Sequence, residues 1–252
     1  MTGIPTNGPL VADSLVLRYG TVSALNNCSA DFPGLGLFSI VGLNGSGKSS
    51  LFDVASGFVA PSSGCISIAA QGAPLGIRQL RRRSVRLHQR LVLPSTLSVG
   101  AYLRICASPS VASALRTPPS FFRDALPSSS PNSFISSLLA SAGLGVDSQL
   151  DLDRLSWGQR RIAAICGVLL TRKPWVLLDE PFAGLSRKAT ELLLDALIFE
   201  ARLRLVVYVE HELEFALQAQ EILVMREGKI LVRRAATQIS REEILMNFGR
   251  RL

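Results

Sequence analysis

Gly42, Gly47, Lys48 and Ser49 stand in the spacing Gly-x-x-x-x-Gly-Lys-Ser, directly after the apolar run Phe38-Ser39-Ile40-Val41 and directly before the helix-like Ser50-Leu51-Phe52-Asp53-Val54-Ala55. That spacing makes a phosphate-binding loop. Its glycines let successive backbone N–H groups turn inward around phosphate oxygens, and the helix behind it offers its positive N-terminal end to the same anion. Gly42, Asn44, Gly45, Ser46, Gly47, Lys48, Ser49 and Ser50 form the expected cradle. Lys48 would reach the β- and γ-phosphates of a nucleoside triphosphate, and the Ser49 hydroxyl would ligate Mg2+.

Two further apolar runs end in residues able to act on such a ligand. Trp175-Val176-Leu177-Leu178 stops at Asp179-Glu180, and Leu205-Val206-Val207-Tyr208-Val209 is followed by Glu210-His211. Asp179 is the right carboxylate to hold Mg2+, which neutralises charge as a γ-phosphoryl departs. Glu180, pointing the other way by the two-residue alternation of a strand, is placed to polarise water as a general base. A helix cap or a solvated turn is the alternative use of the pair. His211 suits a hydrogen bond to the γ-phosphate or the attacking water, against a purely structural role. Tyr19, just past an early strand and ahead of the loop, suits either packing or stacking on a base. In open parallel sheets, ligands lie outside the carboxyl ends of strands, so the three loaded ends can converge on one nucleotide.

The elements that must position these residues read as α/β. Residues 10–16 and 24–32 have strand character, and Pro33-Gly34-Leu35-Gly36 turns the chain into the strand that feeds the loop. Residues 65–68 form another strand, and early antiparallel strands followed by the loop strand predict a mixed sheet. Arg78, Arg81, Arg82, Arg83, Arg86 and Arg90 read as a solvated helix face, with a surface for an acidic partner as the alternative; the lack of interleaved aromatics argues against a base-stacking platform. Residues 97–105 and 134–142 have helical character, but 106–132 is rich in Ser and Pro and reads as irregular. Helices are expected at 159–170, 186–201 and 241–248, and Glu227-Gly228 marks a hairpin between 222–225 and 229–232. The expected organisation is an ATP-binding α/β core at 1–91 and 154–252, interrupted by a helical insert with an irregular segment at 92–153.

At 252 residues, with 48% hydrophobic and 18% charged residues, the chain can bury a sizeable core. No apolar run approaches the ~18–20 residues of a membrane span, and the first nine residues do not read as a secretory signal. Cys28, Cys65, Cys106 and Cys166 are scattered, with only two histidines to help them, which argues against a disulfide framework or zinc site and for a reducing cytoplasm. The net charge of +8 suits nucleotide, an anionic membrane or nucleic acid, and does not choose among them.

Beyond the loop and the Asp179-Glu180 strand, Leu155-Ser156-Trp157-Gly158-Gln159 resembles the LSGGQ signature of ATP-binding-cassette (ABC) ATPases, and from about residue 10 onward the chain resembles the nucleotide-binding subunit of an ABC transporter. The resemblance implies a P-loop NTPase of ABC ATPase type, with a mixed sheet core, antiparallel β strands and a smaller inserted helical subdomain. It implies that Gln89 senses the γ-phosphate and contributes to the Mg2+ site, that Tyr19 stacks on adenine, and that His211 is a switch histidine. Ser156, Gly158 and Gln159 would cap the γ-phosphate held by a second chain's loop. The implied cofactors are ATP and Mg2+. The implied partners are a second ABC ATPase chain, like or unlike, and integral membrane transport subunits at the cytoplasmic face of the cell membrane, with no nucleic acid. Leu51-Phe52-x4-Gly57-Phe58 and residues 180–185 most resemble importers of branched-chain amino acids and related solutes such as urea. A weakly hydrolysing regulatory or scaffold subunit, or a soluble ABC-type ATPase outside transport, are the alternatives. Two positions depart from the family pattern. Trp157 replaces the first signature glycine, so its ring must turn away from the phosphate or obstruct it. Ser186 stands where many members carry an aspartate.

Overall fold

The computed structural model describes residues 8–69, 72–108 and 131–248. Most of the Ser/Pro-rich segment expected at 106–132 therefore lies outside the described residues, as does the start of the N-terminal tail.

Alternation of buried and exposed side chains sets the first layer. Strands β1 (Leu10–Tyr19), β2 (Val22–Phe32) and β4 (Ser63–Ile68) pair antiparallel in the order β2-β1-β4, with Leu10 opposite both Phe32 and Ile68. The second layer is a six-stranded sheet ordered β5-β6-β7-β3-β8-β9. Its members are β3 (Gly36–Val41), β5 (Ser84–Leu87), β6 (Trp175–Asp179), β7 (Leu205–Val209), β8 (Glu221–Arg226) and β9 (Lys229–Ala235). Strands β3, β6 and β7 are buried at every residue, as expected where both faces of parallel strands are covered. The early antiparallel strands thus form a sheet of their own rather than extending that of the loop strand. Strand β9 runs antiparallel to β8, through the expected hairpin, whose Glu227 and Gly228 both have positive φ, 51° and 75°.

Contacts divide the chain into two units. The first comprises residues 1–86, 173–180 and 201–252. Its core fills the space around helix α1 (Lys48–Ala55), where Phe52 and Val54 meet Leu15, Leu25, Phe38, Ile40 and Val207. Phe32 and Phe38 meet edge to face at 5.4 Å. A second apolar cluster gathers Val41, Ile222 and Val224 with Leu213 and Ala216 of α7 (Leu213–Ala216) and Ile244 of α8 (Arg241–Asn247). Helix α2 (Ile77–Arg83) buries Leu80 and leaves Arg78, Arg81 and Arg82 exposed, the expected solvated face.

The second unit, 87–172 and 181–200, takes in the expected insert and more. Helices α3 (Val99–Ala107) and α4 (Pro131–Ser141) pack on α5 (Trp157–Leu170), and α5 is buried from Arg161 to Leu170. That packing places α5 with the insert rather than with the ATP-binding core, and α6 (Arg187–Ala201) joins it for all but its last residue. Gly167 of α5 gives room for the Tyr102 ring, which an added Cβ would meet at 2.5 Å.

Candidate nucleotide site

The loop after β3 is held in shape by the chain around it. A Cβ on Gly42 would overlap the Met225 carbonyl oxygen, and Gly47, at φ 103°, faces the Ala24 carbonyl, so neither position accepts a side chain without movement. The Gly228 N–H donates to Ser46 O at 2.9 Å, and the Asn26 N–H donates to Gly228 O at 3.0 Å. The β8–β9 hairpin tip therefore braces the loop, and β2 braces the tip. Asn44 and Gly45 are exposed at its crest, while Ser46 is buried.

Lys48 opens α1 and folds over the loop: its Nζ donates to Gly42 O at 2.8 Å and Leu43 O at 2.9 Å, with Ser46 Oγ at 3.4 Å. Burial pushes its ammonium below the usual lysine range, and the negative charges of Asp179 and Glu180 oppose that shift. Ser49 and Ser50 follow in the first turn of α1, with Ser49 exposed. Tyr19 ends β1 with half its surface exposed.

The register of the parallel strands explains why the other loaded ends lie beside this loop. Val209 of β7 is opposite both Ile40 of β3 and Asp179 of β6, so residues 41–42, 179–180 and 210–211 leave the sheet in one row. The Glu180 N–H donates to Val209 O at 3.0 Å and the Glu210 N–H to Ile40 O at 3.2 Å, extending the ladder one residue past each strand. Strand β6 nevertheless ends at Asp179. Glu180 has φ 51°, so a left-handed residue rather than strand alternation aims its side chain. Glu180 thus lies beyond the strand, outside the two-residue alternation expected of it. A non-glycine residue in that conformation costs about 1–3 kcal/mol and is found where geometry matters more than comfort. The result is a close contact at hydrogen-bond distance: His211 Nε2 lies 2.9 Å from Glu180 Oε1.

Two residues that the sequence reading did not single out complete the row. Arg86, grouped there with the surface arginines, is on β5 with its side chain 6% exposed. Its Nη1 pairs with Asp53 and its Nη2 with Asp179 Oδ2 at 3.4 Å. Its four-residue strand runs buried, half-buried, half-buried, buried, so no alternation marked Arg86 out from the basic helix before it. Glu210 is buried and accepts the N–H groups of His211 and Glu212 on Oε1, at 2.7 and 3.3 Å. Burial raises its pKa, those two hydrogen bonds oppose the rise, and the charges of Glu212 and Glu180 add to it.

Among the described residues no group of three or more His, Cys, Asp or Glu side chains could hold a metal. Ser49 and Asp179 offer one hydroxyl and one carboxylate, hard oxygen donors that suit Mg2+ when phosphate oxygens and water supply the remaining ligands.

The second unit carries the other expected site residues. Gln89 follows β5 and is exposed, its carbonyl accepting from Arg161 Nη1 at 3.3 Å. Ser156 caps α5 by accepting the Gln159 N–H at 3.3 Å, and Gln159 Oε1 accepts the Ser156 N–H at 3.0 Å, a capping box at the helix start. Gln159 Nε2 also donates to Ala142 O at 3.0 Å, so both ends of that amide are used within the unit. Gly158 lies half-buried in the first turn. Trp157, half exposed, lays its ring against Gly184, which has φ 68° and no room for a Cβ under the indole. Ser186 Oγ accepts the Ala189 N–H at 3.3 Å, capping α6, a task that serine and aspartate perform equally well.

The ABC transporter family matches residues 25–183. The arabinose import ATP-binding protein AraG of Burkholderia pseudomallei (strain 1710b) is 29% identical over 239 residues, covering 92% of this chain and 45% of that protein. The chain thus spans about half the length of the arabinose-import relatives it matches. The high-affinity branched-chain amino acid transport ATP-binding protein LivG of Escherichia coli (strain K12) is 27% identical over 242 residues, covering 91% of this chain and 92% of that protein. An ATP-binding subunit of an ABC transporter superposes with a TM-score of 0.76 at 21% identity, covering 96% of this chain and 99% of that one. A dimeric ATP-binding cassette in a post-hydrolysis state with ADP and Pi gives 0.71 at 20% identity, covering 90% and 98%. At those identities the structures speak for the fold alone.

Proposed function

Because the chain belongs to the ABC transporter family, matched over 25–183 of its 252 residues, we propose that it binds and hydrolyses ATP as a nucleotide-binding chain of a transport assembly. The observation that carries this reading is the row of strand ends in which the Lys48 loop stands beside the 2.9 Å pair of Glu180 and His211. In this reading Lys48 leaves its own loop carbonyls for the β- and γ-phosphates, and the backbone N–H groups of residues 44–50 hold the phosphate oxygens. Tyr19 stacks on the base. Ser49, Asp179 and Gln89 hold Mg2+, which supplies charge neutralisation on the phosphates. Glu180 accepts a proton from the attacking water, and His211 fixes the orientation of its carboxylate.

One chain carries one phosphate loop and one Ser156–Gln159 segment. In the ABC family such a loop and such a segment act on one ATP across two chains, and in this reading the complete site is shared in that way, with Ser156 and the N–H of Gly158 at the start of α5 facing the γ-phosphate held by the other chain. In this reading membrane subunits supply the path for the solute; no helix among the described residues is long and apolar enough to cross a membrane. The chain then works at the cytoplasmic face. The relatives' roles in arabinose import and branched-chain amino acid transport support import of a small polar solute. No nucleic acid partner is invoked.

Glu180→Gln tests the reading. The variant should keep ATP affinity, lose steady-state hydrolysis, and run as an ATP-dependent dimer in size-exclusion chromatography. Wild-type turnover in Glu180→Gln, or a wild-type chain that binds no ATP, would overturn it.

A further inference from the structure

Trp157 and Arg161 lie four residues apart on α5, so their side chains meet on one face of the helix. The Arg161 guanidinium sits 5.3 Å from the indole centroid, within cation–π range. Arg161 is 0% exposed, in a helix whose next nine residues are all buried. An arginine at that depth is costly unless its neighbours use it. Two of its neighbours are the Trp157 indole and the carbonyl of Gln89, which accepts from Nη1 at 3.3 Å. The six-membered ring of the indole lies against Gly184, in the short loop that follows Glu180 and Pro181. One pair of side chains thus joins three segments of the second unit: the start of α5, the backbone at Gln89, and the loop ahead of α6. The same ring keeps 52% of its surface exposed beside Ser156 and Gly158.

We propose that Trp157 and Arg161 act as one positioning pair, in which the ring, seated on Gly184 and exposed beside Ser156, sets through Arg161 where the Gln89 backbone stands. This rests on the reading of the chain as an ATPase, in which Gln89 contacts the γ-phosphate and Ser156 faces the ligand of a second chain. A small residue at position 157 would leave the guanidinium without its aromatic contact. The indole is therefore a working part of this chain's signature segment rather than an obstruction to it. Neither residue touches the reacting atoms, so both are positioning residues and neither is catalytic.

The test compares Trp157→Ala, Trp157→Tyr, Arg161→Met and the Trp157→Ala/Arg161→Met double variant. It measures kcat, KM for ATP, and direct affinity for a fluorescent ATP analogue. Removing either member should lower kcat roughly 2- to 30-fold, the range that a cation–π contact commands, with KM and analogue affinity unchanged because the phosphate loop is untouched. The double variant should be no slower than the slower single one, and Trp157→Tyr, which keeps an aromatic face, should restore most of the rate. Trp157 is half exposed, so Trp157→Ala remains informative where Arg161→Met folds poorly. Rates within twofold of wild type in both single variants would overturn the pair. Multiplying losses in the double variant, or losses of affinity that match the losses of rate, would do the same.

A second arm needs no hydrolysis. The emission of Trp157, taken as the difference from Trp157→Phe so that buried Trp175 cancels, should shift when Arg161 is replaced by Met in the nucleotide-free protein. An unchanged spectrum overturns the pairing even if the chain proves inactive, whereas wild-type inactivity with a shifted spectrum counts against the ATPase reading and not against the pair.

Discussion

Replacing Arg86 by methionine should cost the fold about 3–5 kcal/mol, the loss that follows when one partner of a buried ion pair is removed and the other charges stay behind. Here two carboxylates stay behind. The Arg86, Asp53 and Asp179 side chains are 6%, 21% and 4% exposed, so little solvent is available to replace the guanidinium. Methionine fills much of the arginine stem's volume, and the loss therefore reads on charge rather than on a cavity. For a chain of this length each kcal/mol moves the melting temperature by about 2–4 °C, which sets a fall of roughly 6–20 °C in thermal unfolding followed by circular dichroism at pH 7. Arg86→Lys should lose less than Arg86→Met while still falling short of wild type, since one ammonium cannot fork between two acids. Adding Asp53→Asn to Arg86→Met should recover part of the loss by removing one orphaned charge. Stability of Arg86→Met within about 1 kcal/mol of wild type, the level of an exposed ion pair, would refute the reasoning, as would a failure of Asp53→Asn to help.

Two further expectations concern other buried groups. Burial holds the Glu210 carboxyl above the usual glutamate range in the folded chain, so its ionised form costs stability once the pH exceeds that raised pKa. Glu210→Gln, which keeps the oxygen that accepts from His211 and Glu212, should melt higher than wild type at pH 7–8. The difference should fade as the pH falls toward the unfolded glutamate value, and a gap independent of pH between 4.5 and 8 would contradict the assignment. The Cys28 thiol is pushed up to about 11 by burial and the Cys166 thiol higher still, leaving about one thiolate in a thousand or fewer at pH 8. A thiol reagent should therefore modify half-buried Cys65 in the native protein while sparing Cys28 and Cys166, and reach all four in denaturant. Early native labelling of Cys28 would mean that the β1–β2–β4 layer opens readily.

The parts of this fold that could be read from sequence are those written in short stretches of it. Gly42 to Ser49 carries its own turn chemistry, Trp175 to Asp179 and Leu205 to Val209 are continuous apolar runs, and Glu227-Gly228 supplies the two positive-φ positions of a tight hairpin. What escaped depends on partners distant in sequence. Strands β1, β2 and β4 look like candidates for any sheet, and only the pairing of Leu10 with Phe32 and Ile68 places them in a separate layer. Arg86 resembles its neighbours Arg81 to Arg83 until Asp53 and Asp179 come within reach from 33 and 93 positions away. Alternation foretold a divergence of Asp179 and Glu180 for a reason the backbone does not follow, because the strand stops between them. Trp157 was left open between two orientations, and the missing information was Gly184, whose lack of a side chain makes a floor for the ring.

The brace of the phosphate loop by Gly228 has a consequence in time. Strand β3 lies between β7 and β8, and its loop hangs on a hairpin tip about 180 residues further along the chain. At synthesis rates of about 5–20 residues per second, the loop sequence leaves the ribosome roughly 10–40 s before the strands and the turn that shape it. Until then β3 is an apolar ribbon with both edges unpaired, and α1 has only the β1–β2–β4 layer to lie against. The chain therefore acquires its ligand-ready loop late in translation, and a nascent fragment ending before the hairpin, although it contains every residue from Gly42 to Ser49, should hold nucleotide poorly.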